Sequence, residues 1–239
     1  MRKKLIFGLI FILCLTIITA CGEKVKEEPK KEEETKQVEK FKQNVTEVEK
    51  DENGEIISGV IENYKFTETD KVTDRVKIQM EDDSIILIVL SNSSTPKTIA
   101  NFQNLVKEKF YDGVNFHRIY KGFMIQGGDK DGSNENKIKG EFSSNGVNNT
   151  LSHTRGVISM ARATDPDSAS TQFFIMHADS TFLDGNYASF GRVFAGMDAV
   201  DNIANAEVVA NPYMNGEMSK PVNPPVMKSI RFIEIEKIN

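Results

Sequence analysis

A mainly β domain, a closed sheet or sandwich carrying only two helices, is what the sequence predicts from about residue 75 onward. Short apolar or alternating runs recur at residues 76–80, 85–90, 157–161, 172–176, 189–194 and 230–235. Turn formers separate these runs, and only two segments, one opening at Pro96 and one at residues 197–205, have helical spacing. Many short strands with few helices favour a sheet that closes or stacks on itself.

The whole chain sets the frame. It has 239 residues, 39% hydrophobic and 27% charged, with a net charge of −5. That suits one globular domain with something attached and argues against a nucleic-acid binder, which needs a concentrated basic surface.

Residues 1–20 read as an export signal: Arg2, Lys3 and Lys4 precede an apolar run too short for a comfortable membrane span of about 20 residues. The run ends in Ile18-Thr19-Ala20-Cys21-Gly22, which resembles the bacterial lipobox. That resemblance implies cleavage before Cys21, a diacylglycerol thioether on its sulfur, and a membrane anchor on the extracytoplasmic face. The chain's other cysteine, Cys14, would leave with the signal, so the mature chain could form no internal disulfide. Residues 21–50 are nearly all Glu and Lys and cannot bury enough apolar surface to order themselves, so they are expected as a tether, disordered or partly helical. Residues 51–74 are a transition in which Ile56, Ile57, Val60 and Ile61 could form a short strand.

The domain then occupies residues 75–239. Residues 76–80 alternate apolar and polar and pair with 85–90 as a hairpin. Ser94-Thr95-Pro96 supplies a polar cap and a first-turn proline to a helix with Ile99, Phe102, Leu105 and Val106 on one face. Residues 210–225, rich in proline, are expected as an ordinary surface loop.

Three stretches carry a family likeness: "FHRIYKGFMIQGGD", "GVISMARATDPDSASTQFFI" and "FLDGNYASFGRV". Together, in this order and spacing, they resemble the cyclophilin peptidyl-prolyl isomerases. The likeness covers about residue 77 to the C-terminus. It implies an eight-stranded closed antiparallel β-barrel capped by two α-helices, no cofactor, no metal and, by default, a monomer.

The implied reaction breaks no bond. An X-Pro amide exchanges cis and trans over a barrier of roughly 18–20 kcal/mol. As the amide twists, a lone pair localises on the prolyl nitrogen, so a donor aimed there binds the transition state better than the substrate. Arg118 matches the family's catalytic arginine, and Gln126 the residue that orients it. Phe123, Met124, Phe174 and Leu183 match the proline pocket, Gln126 and Gln172 match positions that hold the substrate backbone and orient the arginine, and Ala161 is a further substrate-binding position. Without the resemblance, the apolar four would be read as plain core. Gly127-Gly128 would let the chain turn tightly beside the pocket.

Three positions depart from the pattern of many members. Arg162 stands where eukaryotic members carry asparagine, Phe182 where they carry tryptophan, and Tyr187 where many carry histidine. Loss of the indole N–H at Phe182 implies weaker cyclosporin binding with isomerisation retained.

Other chemistries fit less well. His117, His153 and His177 lack metal-ligand spacing, no nucleophile elbow is present, and the glycines near Asp129 lack the strand–loop–helix order of a nucleotide site. The expectation is a membrane-tethered isomerase acting on proline-containing proteins that fold outside the cytoplasmic membrane. A peptide-binding or chaperone module using the same groove without turnover is the alternative.

Overall fold

The computed structural model describes residues 45–130 and 136–238. The expected signal, Cys21 and the part of the tether before residue 45 lie outside the described residues.

The chain runs through β1 (Thr46–Lys50), β2 (Ile56–Ile61), β3 (Tyr64–Glu68), β4 (Arg75–Met80), β5 (Ile85–Val89) and α1 (Pro96–Lys107). Next come β6 (Phe116–Tyr120), β7 (Met124–Gly127), β8 (Val157–Met160), β9 (Phe173–Met176), β10 (Ala188–Ala195) and α2 (Met197–Ala204). It ends with β11 (Val208–Asn211), β12 (Glu217–Pro221) and β13 (Met227–Lys237). Eleven strands make one antiparallel sheet in the order β1-β2-β3-β13-β4-β5-β10-β8-β9-β7-β6, and β11 and β12 form a separate hairpin.

The fold is mainly β with two helices, but the expected closed barrel needs correction. The eight strands from β13 round to β6 line one core, which includes Val76, Ile88, Phe116, Ile125, Ile158, Phe173, Phe190 and Ile230. Between β6 and β13, however, the ladder does not continue: the two segments meet at the isolated bridge Asn115–Val226 and at the Gly113 N–H, which donates to the Met227 carbonyl at 3.0 Å. The residues that would continue that pairing are Pro224 and Pro225, which have no N–H to donate.

β5 explains its own composition. Ile86 and Ile88 face the main core, while Ile85 and Leu87 face a second core with Ile56, Ile61, Phe66 and Ile233. A strand covered on both faces reads as a continuous apolar run. The cover is the sheet extension β1–β3, so the transition segment belongs to the fold. Strand β1 also revises the tether boundary: Thr46–Lys50 is a paired edge strand, exposed along its length, whose charges suit an edge in water.

Under this cover, Lys77 and Gln79 are completely buried. Lys77 Nζ donates to Glu68 Oε1 and to the Ile56 carbonyl, and Gln79 Oε1 accepts the Ile56 N–H at 2.8 Å. Burial lowers the pKa of Lys77 and raises that of Glu68, each shift opposed by the partner's charge.

Helix α1 buries Thr98, Phe102 and Val106, four residues apart on one face. Its start is not capped by the side chain of Ser94 or Thr95. Instead the buried carboxylate of Glu141 accepts the N–H groups of Lys97 at 3.1 Å and Thr98 at 2.8 Å, the first donors after Pro96.

Candidate active site

A bulge aims Arg118. Strands β6 and β7 pair Phe116 with Gly127, then skip to Arg118 with Gln126, Ile119 with Ile125 and Tyr120 with Met124. Simple alternation would put Phe116 and Arg118 on the same face. Because His117 is the extra residue, Phe116 and Ile119 both enter the core and Arg118 turns outward. Burial lowers the pKa of His117, whose Nδ1 has no hydrogen-bond partner among the described residues.

The register carries this outer face across the sheet. Arg118 lies opposite Gln126, Gln126 opposite Phe174, and Phe174 opposite Ser159. Arg118 Nη1 donates to Gln126 Oε1 at 3.3 Å, and Gln126 Nε2 donates to Gln172 Oε1 at 2.9 Å. Gly128 sits between β7 and the strand-leading segment at Thr171. Its φ is +87°, and a Cβ there would lie 2.6 Å from the Thr171 carbonyl, so only glycine fits.

A cavity of about 270 Å³ opens beside Arg118. Phe123, Met124, Phe174, Leu183 and Tyr187 give it apolar walls, and Gln126, Ala161 and Arg162 complete the rim. A second hollow of about 380 Å³ shares Gln126, Ala161 and Arg162 with the first and adds Gln172. The sequence-expected residues therefore converge, with one exception. Phe182 does not line either cavity: it is 72% exposed and stacks on the outer side of Phe123, with ring centres 5.6 Å apart.

Arg162 and Tyr187 form a pair. The guanidinium lies 4.8 Å from the Tyr187 ring and 5.1 Å from the Phe142 ring, and is held by the carbonyls of Asn186 and Ala163. Tyr187 in turn meets Phe174 edge-on at 5.7 Å.

Histidines buttress the cavity from behind. His177 N–H donates to the Phe123 carbonyl, and its Nδ1 accepts the Gly122 N–H at 3.0 Å, pinning the turn that presents Phe123. His153 stacks on Phe174, with Nδ1 2.7 Å from Asp184 Oδ1 and Nε2 3.0 Å from Ser159 Oγ. This Ser–His–Asp alignment is not a hydrolase site, because Ser159 is completely buried beneath the cavity floor. Among the described residues no group of three or more His, Cys, Asp and Glu is placed to hold a metal.

Two contributors were not foreseen. Glu217, the first residue of β12, grips Arg118 with both oxygens, at 2.8 Å to Nε and 2.9 Å to Nη2. Met214, from the β11–β12 turn, lines both cavities. The available signal was Asn215-Gly216, a hairpin turn dipeptide in the segment expected as a loop; both residues have positive φ. Nothing in the sequence pattern pairs Glu217 with an arginine 99 positions away.

The profile of the family "Cyclophilin type peptidyl-prolyl cis-trans isomerase/CLD" matches residues 75–231. The chain belongs to the cyclophilin family. Among curated cyclophilin relatives, a peptidyl-prolyl cis-trans isomerase of Acinetobacter baylyi is 46% identical over 159 residues, covering 64% of this chain and 81% of its own. Peptidyl-prolyl cis-trans isomerase A of Dickeya dadantii is 37% identical over 155 residues, covering 62% and 80%. A solved cyclophilin-type isomerase of Cryptosporidium parvum superposes with a TM-score of 0.56 at 27% identity, over 67% of this chain and 97% of that one. This cyclophilin is thus a peptidyl-prolyl cis-trans isomerase.

Proposed function

We propose that the 270 Å³ cavity receives the proline ring and that Arg118 stabilises the twisted amide. The observation that carries this is the placement of a guanidinium at the rim of an apolar, ring-sized hollow. Proline offers little hydrogen bonding, so Phe123, Met124, Phe174 and Leu183 would hold it by shape and apolar contact, with Tyr187 as the far wall. Ala161, Arg162 and Gln172 would border the substrate backbone. A related Cryptosporidium parvum structure was solved in the presence of the dipeptide Ala-Pro, which supports a prolyl peptide as occupant.

The energetic demand is modest. Raising an exchange of about 0.01–0.1 per second to 1–1,000 per second needs roughly 1.4–7 kcal/mol of transition-state preference. One aimed cationic donor in a water-poor site supplies an amount of this order. No nucleophile, proton transfer, metal or cofactor enters the scheme.

A protease-coupled assay on a proline tetrapeptide tests it. Arg118→Ala should lose turnover while still binding peptide. Unimpaired turnover in that variant would remove Arg118 from the mechanism, and a wild type that binds without turning over would mark a peptide-binding module instead.

The clients are proposed to be proteins folding outside the cytoplasmic membrane, where slow X-Pro steps delay newly exported chains. The lipobox-like Ile18-Thr19-Ala20-Cys21 supports a lipid anchor at Cys21. Metabolic labelling with a fatty acid should tag the wild type and not Cys21→Ala; a cleaved Cys21→Ala chain that stays in the membrane fraction defeats the anchor.

A further inference from the structure

The β11–β12 hairpin pairs only with itself in the ladder, yet it supplies the strongest contact that Arg118 makes. We infer that Glu217 is a positioning residue for isomerisation, holding the Arg118 guanidinium side-on so that its remaining N–H groups stay directed at the cavity. The inference rests on Arg118 being the catalytic donor.

Geometry sets the roles. A guanidinium has five N–H groups. Glu217 takes one from Nε and one from Nη2, and Gln126 takes one from Nη1, which leaves one on each terminal nitrogen. The Gln126 contact alone is long, at 3.3 Å, and would leave a flexible side chain free to rotate about it. The carboxylate contact is short and two-pronged, at 2.8 and 2.9 Å, and it removes that freedom before substrate arrives.

Glu217 is itself held. Its N–H donates to the Met214 carbonyl at 3.0 Å, and it lies opposite Asn211 in the hairpin. Ser219, wholly buried two residues on, accepts from the Asn211 side chain at 3.4 Å and ties the two strands of the hairpin together beside it. Hydrogen bonding from Arg118 is the main reason the Glu217 carboxyl has a lowered pKa. The negative charge weakens the field of Arg118, but fixed aim outweighs this partial neutralisation.

The test uses the full chain, with kcat and KM measured on a prolyl peptide and the Arg118 Nε–Hε resonance followed by NMR. Glu217→Ala should lower kcat roughly tenfold, the scale of one charge-assisted hydrogen bond, and leave KM nearly unchanged. The Hε resonance, sharp in the wild type, should broaden away. Glu217→Gln, which keeps one acceptor oxygen, should fall between. Tyr213→Ser, in the same hairpin but 89% exposed, should match the wild type in both readouts. An unchanged or raised kcat in Glu217→Ala or Glu217→Gln overturns the inference, as does an equal loss in Tyr213→Ser. If Glu217→Ala fails to fold, Glu217→Gln with its Hε signal decides alone. Arg118→Ala separates the levels: if it abolishes turnover while the Glu217 variants keep the wild-type kcat, only the positioning role falls, and if it leaves turnover intact the role of Arg118 falls with it.

Discussion

Gln172 accepts the amide N–H of Gln126 at 2.9 Å, and this contact fixes which end of the Gln126 amide faces Arg118. The oxygen is then left for Nη1. With Gln172 replaced by leucine, the Gln126 amide can turn over and present its NH2 to a cation. Gln172→Leu should therefore lower kcat by up to about tenfold, the worth of a net hydrogen bond of 0.5–1.5 kcal/mol. The protease-coupled assay reads this directly, and a Gln126→Leu/Gln172→Leu double variant should be no worse than Gln126→Leu alone.

A pH effect is expected from His153. Burial lowers its pKa, and the opposing hydrogen bond and charge of Asp184 do not compensate. The unfolded chain then binds a proton that the folded chain refuses in the window between the lowered value and the ordinary histidine value of about 6.5. Stability is complete above that window and falls as pH drops into it, by no more than about 1.4 kcal/mol per pH unit for one proton. Burial shifts His117 and His177 in the same direction, so the comparison must be with a variant. Thermal melts from pH 7.5 to 5.5 should show a shallower slope for His153→Gln than for the wild type.

Lys77 should behave as a buried ion-pair partner. Lys77→Met leaves the mostly buried carboxylate of Glu68, at the end of β3, without its cation and should cost about 3 kcal/mol in urea unfolding. Removing both charges, in Lys77→Met/Glu68→Leu, should recover most of the loss, because neither group is then desolvated without a partner. A double variant as unstable as the single one would show that the pair is not the relevant contact.

Phe182 lies outside the 270 Å³ cavity, so its replacement should separate inhibitor binding from catalysis. Phe182→Trp adds an indole N–H on the outer side of Phe123 and should tighten cyclosporin inhibition by up to about tenfold, again one net hydrogen bond. Turnover should stay near that of the wild type. The chain has no other tryptophan, so the new residue's fluorescence reports its own contacts.

The strands with unbroken alternation or continuous apolar character were legible in sequence: β4, β5, β8, β9, β10 and β13 lie where the pattern put them, as do both helices. Strands β6 and β7 were recognisable as a motif but not as strands, because the bulge at His117 breaks the period of two. The cap on α1 was missed because Glu141 is far from it in sequence. The same holds for Glu217 at the site. Phe123, Met124, Phe174 and Leu183 could be chosen from the resemblance, since apolar residues in a pocket and in a core have the same composition. Pairings between distant polar side chains need the register, and no local pattern encodes it.

Strand β13 pairs with β4 through residues 227–232 and with β3 through residues 233–237. It therefore stands between the two groups of strands, although every other strand of the sheet precedes it in chain order. In a polypeptide delivered N-terminus first, β1–β3 and β4–β10 can pack face to face, but no ladder joins them until those eleven residues arrive. Completion of the sheet is deferred to the last part of delivery. A catalyst of slow folding steps thus has a late closing step of its own, and Pro224 and Pro225 sit immediately ahead of it.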